Sequence, residues 1–179
     1  MEKNIVLIGF MGTGKSVVGI ILAKKLKKKF VDMDYQIEQI THMSITDIFK
    51  HHGEIRFRSE EKLLVSKLSR QRNQVIATGG GVVLDQDNIR MFRQNGIIIC
   101  LKASAEEIFK RVNRRKGTRP VLKKNYCVRD IEDMLKFRET FYSQADYQVN
   151  TNEKTPEQVS NEIILLLSEV NNQIQTKVN

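Results

Sequence analysis

The 179-residue chain has two cysteines, two prolines, no tryptophan and no long apolar run. Two cysteines exclude the disulfide framework that staples small secreted domains. Cys100 lies inside Ile97-Ile98-Ile99-Cys100-Leu101, where it reads as a small buried hydrophobe, and Cys127 stands alone in a polar stretch. The apolar run nearest the start, Ile5 to Ile8, is far too short for a signal peptide or a membrane span. There is no internal repeat and no low-complexity linker. The expectation is one domain over residues 1–179, in a reducing cytoplasm and with no membrane role.

What the chain does have is positive charge. Thirty Lys and Arg against 21 Asp and Glu give a net charge of +9. Lys24, Lys25, Lys27, Lys28 and Lys29 read as a solvated surface, yet the balance also suits an anionic partner: nucleotide, acidic metabolite or nucleic acid. Charge alone does not choose among them.

Short apolar segments at 4–8, 29–31, 74–78, 97–101 and, more weakly, 147–149 alternate with amphipathic helical ones. That alternation predicts an α/β fold with a mainly parallel sheet. Ser44-Ile-Thr-Asp47, Ser104-Ala-Glu-Glu107 and Thr155-Pro156-Glu157-Gln158 have the form of helix starts. Gly53 and Gly96 read as stops for helices over 44–52 and 86–95. From Arg111 to Cys127 the chain reads RVNRRKGTRPVLKKNYC, basic and aperiodic. Such a loop inside a compact domain is a lid over a phosphate or a solvated charged loop.

The strongest local signal is GFMGTGKS, Gly9 to Ser16, which matches G-x-x-x-x-G-K-[ST] between a strand and a helix. The glycines let backbone N–H groups wrap phosphates, and the helix N-terminus adds its dipole. Lys15 is expected to reach the β- and γ-phosphates, and Ser16 to ligate Mg²⁺. A nucleoside triphosphate is the predicted ligand, with Gly12, Thr13, Gly14, Lys15, Ser16 and Val17 around it.

An acceptor must lie elsewhere. In VDMDYQIE, Asp32 and Asp34 would point the same way if the segment is extended, toward the carboxyl-end crevice of the sheet. One carboxylate would hold Mg²⁺ or its waters and the other accept a hydroxyl proton. Equally, they are solvated loop acids, or Asp34 caps the next helix. Arg58 and Arg138 each lie beside a phenylalanine able to cover the stem and present the guanidinium as a carboxylate fork. Arg56 is as good a candidate on charge alone. Glu61 reads as a surface partner or as a group that orients an arginine. The third strand runs into Gly79-Gly80-Gly81, which needs either positive φ or a bare, approachable backbone. His51-His52 does not read as a metal pair, because adjacent helical residues do not share a face. The basic loop lacks the interleaved aromatics of a single-strand platform, so no nucleic acid is expected.

Taken in order, GFMGTGKSVVG, FVDMDYQIE, SITDIF, GEIRFRSEE, TGGGVVL, RPVL and RETFYSQAD resemble shikimate kinase over roughly residues 5–167. The resemblance implies a three-layer P-loop fold with a five-stranded parallel sheet flanked by helices. It also implies a mobile lid at about 111–127, a substrate-binding helical region at about 34–62, and a monomer. The activity it implies is Mg²⁺-dependent transfer of the ATP γ-phosphate to the shikimate 3-hydroxyl. Matched by position, Arg58 and Arg138 would hold the shikimate carboxylate, while Asp34 and Gly79, Gly80 and Gly81 would meet the ring. Asp34 would also accept the proton of the attacking hydroxyl, Asp32 would reach Mg²⁺ through water, and Arg119 would close on the phosphates. A bare backbone at Gly80 or Gly81 would offer an N–H to a ring hydroxyl. Small departures are His42 where many members have glycine, Thr13 for serine, and RPVL for RPLL. Two other readings remain: a kinase for gluconate or a nucleoside monophosphate on the same fold, and a P-loop module that binds nucleotide without transferring it.

Overall fold

The structure, a computed structural model, describes residues 2–114 and 126–176. Strands β1 (Asn4–Ile8), β2 (Lys29–Asp32), β3 (Gln74–Ala77), β4 (Gly96–Lys102) and β5 (Tyr147–Asn150) form a sheet of order β2-β3-β1-β4-β5. Every pairing is parallel. β1 and β3 are buried along their whole length, and so is β4 except at Lys102. Continuous apolar strands of that kind need cover on both faces.

Helices supply it. They are α1 (Lys15–Leu26), α2 (Met33–Thr41), α3 (Ile45–Ser69), α4 (Gln86–Asn95), α5 (Ala105–Arg114), α6 (Val128–Tyr142) and α7 (Pro156–Thr176). The twofold period of β1 sends Ile5 and Leu7 to a core with Val18 and Leu22 of α1 and Val159 and Ile163 of α7. Val6 and Ile8 face the opposite core, with Leu64 and Val65 of α3, Phe92 of α4, Ile108 of α5 and Ile131 of α6. Cys100 belongs to that second core, where burial pushes its thiol up to about 11, so it is an apolar group and not a reactive one. Among the described residues, no helix is long and apolar enough to cross a membrane.

All three helix starts are capped as their sequences predict. Ser44 Oγ accepts from Asp47 N at 3.1 Å and Ser104 Oγ from Glu107 N at 3.3 Å. Thr155 and Gln158 exchange both bonds, at 3.2 and 2.8 Å. The expected glycine stops differ from a simple C-cap. Gly53, at φ 77° and ψ 175°, kinks α3 and the helix resumes beyond it. Gly96 is extended, at φ −134°, and opens β4 directly; a Cβ there would lie 2.7 Å from Phe92 O. It is glycine because the chain passes too close to α4 for a side chain.

β1 is the centre of the order, and the chain crosses from one side of it to the other between β3 and β4. Ligands of open α/β sheets bind beyond the carboxyl ends at such a switch point. The loop that leaves β1 there is the glycine-rich one.

Candidate active site

Gly12 and Gly14 stand at φ 79° and 96°, which turns the loop after β1 and brings the chain into α1. Thr13 is buried, and its hydroxyl donates to Phe10 O at 2.8 Å, so its side chain braces the loop from inside. Lys15 Nζ donates to Gly9 O at 2.8 Å and to Phe10 O at 2.9 Å. The ammonium is thus held over the loop that the phosphates would enter. Ser16 Oγ donates to Asp32 Oδ2 at 2.6 Å, joining the two groups expected at a metal.

The acidic pair differs from the extended arrangement expected of it. β2 ends at Asp32, which is itself the N-cap of α2 and accepts from Tyr35 N at 3.3 Å; Asp34 stands in the first helical turn. A short polar side chain ahead of an amphipathic run favours capping over continued strand, and Asp32 takes that place instead of Asp34. Both carboxylates nonetheless line one cleft of about 430 Å³ with Gly12, Lys15, Ser16, Val17 and Gly80.

The glycine triplet has no residue at positive φ, so its purpose is the bare backbone. A Cβ at Gly79 would lie 2.9 Å from Asp34 Oδ1 and 3.0 Å from Glu61 Oε1. One at Gly81 would run into the Arg58 guanidinium, 2.7 Å from Nη1. At Gly80 the nearest atoms, Met11 N at 3.5 Å and Arg138 Nη1 at 3.7 Å, leave room. The triplet is therefore packed by site residues at both ends and open in the middle.

Arg58 and Arg138 reach this stretch from α3 and α6. Arg58 is bonded to Glu61 at 2.8 Å and to Glu54 at 3.0 Å. Glu61 is buried, with its Oε1 lacking a hydrogen-bond partner among the described residues. The pair is lopsided. Burial pushes the Glu61 carboxyl above its ordinary range despite Arg58, whereas for Arg58 the cost of burial is outweighed by Glu61 and Glu54, which raise its pKa. Arg56 is exposed and pairs with Glu60 at 2.6 Å.

Arg138 is 7% exposed and pairs with no carboxylate among the described residues. Its Nη1 donates to Gly80 O at 3.2 Å, and Tyr142 Oη donates to the same carbonyl at 2.9 Å. The phenylalanine that covers it is not its neighbour Phe137, which is 70% exposed, but Phe10 of the phosphate loop, 5.4 Å from the guanidinium carbon. A sequence neighbour on a helix points about 100° away, so adjacency was the wrong guide. For Arg58 the neighbour Phe57 does serve, at 5.3 Å.

The far end of the cleft is lined by Glu107, Arg111, Arg114, Thr151, Lys154 and Pro156. Arg111 is held as a fixed plate by Glu107 at 2.7 Å and by Thr151 O at 2.7 Å. Sequence reasoning read Thr155-Pro156 only as a helix start, and nothing in its composition marks it as a cleft wall. The stretch expected as an aperiodic lid from Arg111 begins instead as the last turn of α5, through Arg114; Arg119 and the rest up to residue 125 lie outside the described residues. The two oxygens at Ser16 and Asp32 are hard donors that fit Mg²⁺. No group of three acids, histidines or cysteines able to hold a metal occurs among the described residues, so phosphates and water would complete such a shell.

The family model described as shikimate kinase matches residues 11–168. The shikimate kinase of Pelotomaculum thermopropionicum is 47% identical over 94% of this chain and 98% of its own length. That of Caldanaerobacter subterraneus is 48% identical over 90% and 94%. The shikimate kinase from Acinetobacter baumannii in complex with shikimate superposes with a TM-score of 0.89 at 34% identity, covering 94% of this chain and 95% of that one. The phosphate-loop cleft, the glycine triplet and the two arginines beside it are thus found in a chain that belongs to the shikimate kinase family.

Proposed function

We propose that the chain transfers the γ-phosphoryl group of ATP to the 3-hydroxyl of shikimate, giving shikimate 3-phosphate and ADP. The observation that carries this reading is Arg138, a nearly buried cation with no carboxylate of its own among the described residues, beside an open glycine floor in the P-loop crevice. A buried charge needs a partner, and a carboxylate on the acceptor supplies it in bidentate form. The relative from Acinetobacter baumannii, whose structure holds shikimate, supports the same acceptor.

In this reading the shikimate 3-oxygen attacks the γ-phosphorus, its proton passes to the Asp34 carboxylate, and the bond from phosphorus to the ADP oxygen breaks. Lys15 leaves the carbonyls of Gly9 and Phe10 for the β- and γ-phosphate oxygens, and Arg119 adds a second positive charge. Arg58 shares the carboxylate with Arg138, its Glu54 contact being exposed and exchangeable. Gly79, Gly80 and Gly81 let the ring approach, with Gly80 or Gly81 offering an N–H. Ser16 and Asp32 would hold Mg²⁺, which supplies charge neutralisation of the phosphates when bound. Gly12, Thr13, Gly14 and Val17 frame the triphosphate, and the plate at Arg111 with Pro156 frames the base. A monomeric, cytoplasmic, single-domain enzyme with no nucleic-acid partner belongs to the same reading. Gluconate also carries a carboxylate, and what favours shikimate over it is the pair of shikimate kinase relatives at 47% and 48% identity; a nucleotide acceptor has no carboxylate for Arg138, and a non-catalytic module would have no use for it.

Two substitutions test the roles in steady-state assays with ATP and shikimate. Asp34→Asn should lower kcat by about 10²–10⁴ with the fold retained. Arg138→Ala should raise the shikimate KM by about 10- to 100-fold and leave the ATP KM nearly unchanged. An Arg138→Ala enzyme with ordinary shikimate KM would remove that arginine from the site.

A further inference from the structure

Arg138 has three supports in this fold: the Gly80 carbonyl, the Tyr142 hydroxyl that shares that carbonyl, and the ring of Phe10. The first two are hydrogen bonds at the guanidinium edge or beside it. The third is of another kind, because a cation over an aromatic face is held through that face and spends none of its N–H donors. Nη1 is committed to Gly80 O, so the remaining donors must stay in a plane that a carboxylate can meet. A ring that holds the guanidinium carbon over its face restrains the group without competing for the donors.

Phe10 is well placed to hold it. The residue is 1% exposed and its ring belongs to the core beneath the loop, so it is itself immobile. Its carbonyl accepts from Lys15 Nζ at 2.9 Å and from Thr13 Oγ1 at 2.8 Å. One residue therefore touches the phosphate-side lysine through its backbone and the acceptor-side arginine through its ring. We propose that Phe10 is a positioning residue for the acceptor: its aromatic face orients the Arg138 guanidinium for the shikimate carboxylate, tying that orientation to the geometry of the phosphate loop. The inference rests on the reading of Arg138 given above, and its test separates the two.

The test replaces Phe10 in the full chain with 3,4,5-trifluorophenylalanine, which keeps nearly the same shape and hydrophobicity but drains the negative face of the ring. The same replacement is made in an Arg138→Ala background. The expected result is a shikimate KM raised roughly two- to tenfold in the otherwise native chain. The ATP KM should stay within about twofold and the melting temperature should not change. In the Arg138→Ala background fluorination should add nothing further. A ring that merely filled space would give no response to fluorine. An unchanged or lowered shikimate KM, or an equal rise with and without Arg138, overturns the inference. If Arg138→Ala by itself left the shikimate KM unaltered, the underlying reading would fall and this one with it.

Discussion

Gly79, Gly80 and Gly81 are three identical residues with three different reasons to be glycine, and each should fail in its own way. At Gly79 a methyl group would press on the Asp34 and Glu61 carboxylates, at 2.9 and 3.0 Å. Both are ends of side chains and can yield, so Gly79→Ala should fold but misplace Asp34, lowering kcat by about tenfold or more. At Gly80 the protein leaves room, with Met11 N at 3.5 Å and Arg138 Nη1 at 3.7 Å, so under the proposed function a methyl group there would meet the acceptor instead. Gly80→Ala should therefore keep its melting temperature and raise the shikimate KM more than the ATP KM; the reverse order would make the triplet only a turn. At Gly81 the methyl group meets the Arg58 guanidinium, so that arginine must leave its seat and shikimate binding should weaken with it.

Glu61 carries a second residue-scale consequence. Burial raises its carboxyl pKa, with the Arg58 charge opposing and Asp34 adding to the rise. A carboxyl whose folded pKa lies above its unfolded one stabilises the fold fully below the unfolded value. That contribution is lost as pH rises through the folded value. Glu61 therefore costs stability at neutral pH, a cost the site accepts for a seated Arg58. Urea unfolding of Glu61→Gln against the native chain from about pH 4 to 8 should show the Gln variant gaining relative stability as pH climbs above the ordinary value of 4.5. A difference that is flat across that range would contradict the assignment. Little of this was open to sequence reasoning: a glutamate three residues after an arginine on a helix usually faces water, and only burial to 1% exposure distinguishes this one.

Among the elements, α2 shows what one departure from the family pattern costs. His42, standing where glycine is common in the family, is the C-cap of α2 at φ 54° and ψ 27°. A non-glycine residue in the left-handed region costs about 1–2 kcal/mol. Glycine would return about 0.4–1 kcal/mol of that through the freedom it gives the unfolded chain. His42→Gly should thus stabilise the protein by roughly 0.5–1 kcal/mol in urea unfolding, with kcat and both KM values unchanged. A loss of stability would mean that the imidazole makes a contact worth more than the strain. The departure was visible as a letter in the sequence, but its cost became visible only with the backbone angle. Asp32 and Asp34 teach the converse lesson. Both were legible as site residues, yet the strand geometry expected of them was wrong, because the helix begins at Met33, two residues earlier than an extended segment through Asp34 allows. Asp146 of RETFYSQAD is part of a motif that marks the family, but its work is to open β5: its backbone N–H donates to Ile98 O at 2.9 Å and its Oδ2 accepts from Ile98 N at 2.8 Å.

For the whole molecule, the sheet was legible because its strands are short apolar runs separated by capped helices, and all five were found within a residue or so of where the sequence places them. The strand order followed from no single signal; it reflects two cores that must be filled from opposite faces of β1. The phosphate end of the cleft was legible because backbone chemistry demands glycine at fixed spacing. Its far wall was not, since Thr151, Lys154 and Pro156 come from the chain's last third and the one signal among them, a helix start at Thr155-Pro156, says nothing of a cleft. The covering of Arg138 by Phe10 joins residues 128 positions apart, which no adjacency argument reaches. The phosphate loop, the acid pair and Gly80 line one crevice, with Arg138 bonded to the Gly80 carbonyl at its floor, and the central claim is that a carboxylated alcohol, shikimate, is phosphorylated there. The direct measurement is ADP release by the purified chain with ATP and Mg²⁺, comparing shikimate, gluconate and a nucleoside monophosphate with an acceptor-free blank. The account predicts shikimate-dependent release far above the blank and little from the other two; release with shikimate no greater than the blank would contradict it.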